Sequence, residues 1–149
     1  MAVIDRTVQA VFDKAIYLID AQGESGGDTV NSDTEEYRVR AIALLNTLLD
    51  KVYVASDTHA ITEDGKRPYL SDVTSFEDTL KLDARILREV LPCGLAALLL
   101  SEENPSLANF FQQRFEEGLY ETKATRPATF EDIDMPYGHV SHGSFSRWL

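Results

Sequence analysis

Between Leu91 and Leu100 the chain reads LPCGLAALLL, without a single charged side chain. The closing GLAALLL is apolar on every side of a helical wheel, and a helix of that kind has to be surrounded. A bilayer cannot surround it, because spanning one takes ~20 apolar residues in succession. The stretch is therefore expected at the centre of a helical bundle, and the rest of the chain must supply its neighbours.

Residues 7–20 place apolar side chains at Val8, Val11, Phe12, Ala15, Ile16 and Ile19, the i, i+3, i+4 spacing of a helix with one buried stripe. The glycine-rich AQGESGGDTVN that follows reads as a connection. Ser32, Asp33, Thr34 and Glu35 have the form of a capping box, which predicts a second helix starting there. Its apolar residues, from Tyr37 and Ala41 to Val52 and Tyr53, cover a stripe wide enough to need more than one neighbour. Residues 55–81 are long and polar, with a hairpin turn predicted at Glu63, Asp64, Gly65 and Lys66 and with Pro68 limiting any strand beyond it. A connection of that length in a compact domain is a candidate contact loop.

A third helix is expected from a cap at Asp83 through Ala84, Ile86, Leu87, Val90 and Leu91 to Pro92, whose missing N–H and bulky ring predict a kink or a restart. Asn104 followed by Pro105 is the signature of an N-cap and first helical position, opening a fourth helix. Leu107, Phe110, Phe111, Phe115 and Leu119 are its expected buried face, with Gly118 permitting close approach of a neighbour. Residues 126–149 hold two prolines and no sustained period. The prediction is an all-α four-helix bundle over residues 1–125, with a long loop between helices two and three, and an extended C-terminal tail over 126–149.

At 149 residues one domain of this size buries roughly 68–70% of its unfolded surface and can fold without staples. A lone cysteine excludes an internal disulfide framework and suits a reducing compartment. The N-terminal segment is interrupted by Asp5, Asp13 and Asp20, unlike a secretory signal. These features lead us to expect a soluble intracellular protein with no membrane partner. The formal charge of −11 argues against wrapping nucleic acid, which takes a basic face. An acidic surface could still line a passage through which DNA slides without sticking.

Cys93, between Pro92 and Gly94, is the one candidate nucleophile, but its sequence neighbours are Leu91, Leu95 and Ala96, and apolar surroundings leave a thiol inert. It reads as a packing residue. His139 and His142 could supply two metal ligands with Asp132 and Asp134 near them in sequence, yet catalytic zinc normally takes three protein ligands and no third histidine stands close. His59 falls in a polar loop. The acidic pairs Glu35-Glu36, Glu102-Glu103 and Glu116-Glu117 diverge by about 100° on a helix and read as solvated charge. No phosphate-binding glycine loop or nucleophile-elbow motif is present in the sequence, so no catalytic, metal or cofactor-binding residue is expected. Arg38 and Arg114 sit where the helical wheel expects apolar residues. Each either snorkels or pairs with an acid such as Glu117, or marks a subunit interface, where arginine is enriched.

Residues 75–117, SFEDTLKLDARILREVLPCGLAALLLSEENPSLANFFQQRFEE, resemble the head-to-tail connector (adaptor) proteins of tailed bacteriophages and prophages. The matching features are the Asp83 cap, the Leu91-Pro92-x-Gly94-Leu95-Ala96-Ala97 break, the acidic-Asn104-Pro105 turn and the Phe-Phe-x-x-x-Phe face. The tail YGHVSHGSFSRW is a second match, and Cys93 stands where tyrosine is expected. The resemblance implies a structural subunit, made in the bacterial host cytoplasm, that forms a ring, commonly twelvefold, at the head–tail junction of the virion. Such a ring sits beneath the portal protein, extends the DNA channel and receives the next neck or tail component. It further implies that Tyr137, Phe145, Arg147 and Trp148 of the tail bind portal, since exposed aromatics and arginine make interface anchors. The tail could instead fold back over the bundle's own apolar face. The competing class of function is a small cytosolic helical regulator or interaction module without catalytic activity, and an enzyme is the third.

Overall fold

The computed structural model describes residues 3–20, 34–56 and 70–125. Among them the fold is all-α, with α1 Val8–Asp20, α2 Glu35–Tyr53, α3 Leu91–Leu100 and α4 Pro105–Ala124. Helix α3 packs against each of the other three and most extensively against α4. That is the position its sequence demands: nine of its ten residues are buried.

The buried stripe of α1 is Val8, Val11, Phe12, Ala15 and Ile16, as its period predicts. Thr7 opens the helix by accepting the Ala10 amide on its hydroxyl at 3.3 Å. Helix α2 begins later than the capping-box pattern predicts. Its N-cap residue is Thr34, whose side chain makes no capping hydrogen bond, and its first turn carries Glu35 and Glu36, which favour the positive end of the helix dipole. Ser32 and Asp33 lie outside the described residues. Ala41, Leu45, Leu48, Leu49 and Val52 are buried, with Tyr37, Leu44 and Tyr53 packed partly against the same core.

The connection after α2 is predicted as a polar loop, and its described second half departs from that. Val73, Leu80 and Leu82 are buried in the main core. The Asn46 side chain of α2 clips this described stretch, a strap over residues 70–82, in place: its amide donates to the Val73 carbonyl at 3.0 Å and its oxygen accepts the Val73 amide at 2.8 Å. The strap also pairs with the start of the chain, where Leu80 donates to the Arg6 carbonyl at 2.8 Å and Val8 donates to the Asp78 carbonyl at 2.9 Å. An isolated antiparallel bridge joins Thr7 and Thr79. The predicted hairpin turn at Glu63–Lys66 lies outside the described residues, as do 126–149.

Pro92 does not break its helix. The chain is helical from Ala84 to Leu100, and the strain of the proline is absorbed by a π-helical turn, Ile86–Val90, in which the Leu91 amide donates to the Ile86 carbonyl. A π turn widens the ring of backbone atoms and re-satisfies groups that a proline would orphan in a regular α-helix. Asp83 stands just before this run, and its carboxylate accepts from the Ser56 hydroxyl at 3.1 Å.

Asn104 caps α4 as predicted, accepting the Leu107 amide at 3.2 Å, with Pro105 first in the helix. The buried face is Ala108, Phe111, Phe115 and Thr122. Leu107 and Leu119 are only partly buried, and Phe110, predicted inside, is 51% exposed. Adjacent helical positions diverge by about 100°, so Phe110 and Phe111 cannot share one narrow stripe. The two glycines at the α3–α4 contact allow close approach: a Cβ on Gly118 would lie 2.9 Å from Val90 Cγ2.

Candidate functional site

The antiparallel packing of α4 on the π turn and α3 brings Cys93 and Arg114 together. Cys93 is 8% exposed, and burial pushes its thiol up, while the charge and hydrogen bond of Arg114 act in the opposite direction. A thiol so placed is mostly protonated at neutral pH and a poor nucleophile. Its sequence neighbours conceal the cationic partner, which comes from another helix.

Around this pair lies an open groove of about 460 Å³, lined by Leu18 of α1, Arg88 and Cys93 of the π turn and α3, and Phe110, Phe111 and Arg114 of α4. The Arg114 guanidinium lies 5.7 Å from the Phe110 ring centroid. Among the described residues the ion pairs are those of Arg85, with Glu89 at 3.5 Å and with Glu121. Arg114 therefore does not pair with Glu117, the acid its spacing suggested. Glu117 accepts from the Gln113 amide at 3.1 Å and Glu116 from Gln112 at 3.1 Å.

Arg38 is held within its own chain by aromatic rings and an amide. Its guanidinium stands 4.0 Å from the Phe76 centroid and 5.9 Å from that of Phe12, and it donates to Gln9 Oε1 at 3.0 Å. The two rings meet edge to face, with centroids 5.4 Å apart. The arginine thus ties α2 to α1 and to the strap by cation–π contact. Phe76, in a stretch without period, is the partner that the sequence reading missed.

Of the acidic pairs, Glu102 and Glu103 lie in the turn between α3 and α4, where Glu103 accepts from the Tyr37 hydroxyl. Burial, with the hydrogen bond and charge of Glu103, pushes the Tyr37 phenol up to about 12. Glu35 and Glu36 occupy the first turn of α2.

Among the described residues no group of three histidine, cysteine, aspartate or glutamate side chains could hold a metal ion, and no helix is long and apolar enough to cross a membrane. The predicted portal-binding residues Tyr137, Phe145, Arg147 and Trp148 lie outside the described residues, as do His59, Asp132, Asp134, His139 and His142. Compared with protein-family models, with curated proteins and with solved structures, the chain gives no match.

Proposed function

We propose that this protein is a structural head-to-tail connector of a tailed phage or prophage: a four-helix bundle with a long loop between α2 and α3 and a C-terminal tail. Copies of it form a ring, commonly twelvefold in the proteins it resembles, beneath the portal protein. The ring extends the DNA channel and receives the next neck or tail component. The observation that carries this reading is the resemblance of residues 75–117. Several of its features have a physical role in this fold: Asp83 precedes the helical run, Pro92 follows a π turn at the start of α3, Gly94 lies under Phe115, and Asn104-Pro105 opens α4.

The chemistry is consistent with a mechanical part. A charge of −11 keeps DNA phosphates from adhering to a wall they must slide past. The tail supplies the adhesive contact, with Phe145 and Trp148 filling portal pockets, Tyr137 beside them and Arg147 pairing with a portal acid. Of the two arginines expected at a subunit interface, Arg38 is engaged by Phe76, Phe12 and Gln9 of its own chain, and Arg114 remains the candidate subunit contact. Arg114 is exposed, so it can reach a neighbour without rearrangement.

The test is portal mixed with the full chain and with a chain ending at Pro136, imaged by cryo-EM. The full chain is expected to decorate portal as a ring. The shortened chain is expected to keep the thermal unfolding of the bundle and lose attachment. A shortened chain that unfolds at markedly lower temperature yet joins portal at full occupancy would assign the tail to the subunit's own core. A full chain that never binds portal would favour a free-standing helical interaction module.

A further inference from the structure

Helix α1 does not complete its own start. The first amides of a helix have no partner within it. In α1 the Ala10 amide goes to the Thr7 hydroxyl and that of Val11 to the Thr7 carbonyl at 3.4 Å, but Val8 and Gln9 donate to the Asp78 and Phe76 carbonyls of the strap, each at 2.9 Å. No acid stands in the first turn to answer the positive end of the helix dipole, and the strap carbonyls take that place. The dependence is mutual. Leu80 of the strap donates to the Arg6 carbonyl, the Arg6 guanidinium donates to the Leu82 carbonyl, and the Phe76 ring meets Phe12 edge to face. Arg38 of α2 touches both parties, Phe76 through its guanidinium face and Gln9 through a hydrogen bond.

We propose that residues 6–9 and the strap, 70–82, form one latch that opens as a unit while α2, α3 and α4 stay packed. Neither arm can leave alone without breaking the same set of hydrogen bonds. A two-stranded pairing this short is not stable in isolation, so the latch is held down by what it buries and by its ties to α2. It buries Val73, Leu80 and Leu82, which makes the closed state the resting one. Its ties to α2 are Asn46 at Val73 and Arg38 at Phe76, whereas α3 is enclosed by three helices. Elements with fewer buried contacts open at lower free energy than the core, so the latch is the piece that opens first. Lifting it uncovers Phe12, which is fully buried in the closed state, and leaves two amides of α1 to water. The strap is thereby a positioning element for α1: whatever displaces it also frays that helix.

Hydrogen exchange of the full chain, followed residue by residue by NMR, tests this. In the wild type the Val8, Gln9 and Leu80 amides are expected to share one protection factor, at least about tenfold below those of the α3 interior, with a weaker dependence on urea because less surface is exposed. Asn46→Ala loosens the strap at Val73 without altering the groups that bond Val8 and Gln9. It is expected to speed exchange of all three amides by a common factor, about thirtyfold for two lost hydrogen bonds. Faster exchange at Val73 with none at Val8 and Gln9 would show α1 fraying by itself and overturns the proposal. So does a wild type whose three amides differ among themselves, or exchange only together with α3, since nothing then opens ahead of the whole. The wild-type comparison needs no variant to fold, and both measurements use the subunit alone, so the latch and portal binding can fail independently.

Discussion

Gly94 and Phe115 are in contact so close that no side chain fits between them: a Cβ on Gly94 would stand 2.7 Å from Phe115 Cδ2, with Leu48 Cδ1 at 3.1 Å on its other side. Phe115 is 1% exposed, so its ring has nowhere to retreat. The glycine is what lets α4 lie down on α3.

Gly94→Ala is accordingly expected to destabilise the fold, although alanine is the better helix former by about 1 kcal/mol. Overpacking a filled core costs ~1–3 kcal/mol, so the net loss should centre on about 1 kcal/mol and not exceed about 2 kcal/mol. A lowered urea midpoint with unchanged slope checks this. A midpoint equal to or above wild type would mean that the helices can part without cost.

Asn46→Ala removes the clip on the strap. Two hydrogen bonds to the Val73 backbone are lost, and the abandoned groups lie beside a buried side chain, a situation worth about 2 kcal/mol in total. The Val73 amide should also lose hydrogen-exchange protection before the α3 amides do. Uniform loss across both would show the strap and helices opening as one unit.

Asp78 gives the strap a pH dependence. Its carboxylate accepts the amides of Thr74 at 2.9 Å and Ser75 at 3.1 Å, and these backbone hydrogen bonds hold its carboxyl below the ordinary value. A depressed folded pKa means that the contribution is fully present above the unfolded value of 3.8 and is lost as pH falls through the folded one. Wild type should therefore exceed Asp78→Ala in stability at pH 6 by a margin that shrinks progressively below pH ~4. A margin constant down to pH 2 would assign the effect of the substitution to something other than the carboxylate.

Cys93→Ala is expected to leave ring assembly on portal intact and to cost about 1 kcal/mol of stability, the loss of one buried sulfur. Alanine is a cleaner test than serine, whose hydroxyl would need a new partner. Loss of assembly by a folded alanine variant would show that the thiol does more than pack.

The helices were legible because burial imposes a period. Val8, Val11, Phe12, Ala15 and Ile16 announce one buried stripe, and the Asn104-Pro105 pair announces where α4 starts. The strap was not legible, since Val73, Phe76, Leu80 and Leu82 follow no period and are held by Asn46 and Arg38, polar residues whose partners only the fold supplies. Phe110 was misplaced because the aromatic run of α4 is wider than the face that α3 can cover. The groove was hidden for a related reason: Cys93 and Arg114 belong to different helices, and their meeting depends on the antiparallel register set by Gly94 under Phe115 and Gly118 under Val90.

The π turn at Ile86–Val90 inserts one residue into a helix, and one residue is about 100° of rotation. The two halves of the run from Ala84 to Leu100 are therefore out of phase. The first half turns Arg85 toward Glu121 of α4, while the second buries every residue from Leu91 to Leu100 except Leu98. Deleting one residue within 86–90 would remove the π turn, while Pro92, which has no N–H, would still leave a gap in the α-helical ladder. The deletion would swing Asp83 away from Ser56 and Arg85 away from Glu121, unlatching the strap and α4 in a single stroke. In this chain the least regular turn is the one that keeps the timing between its parts.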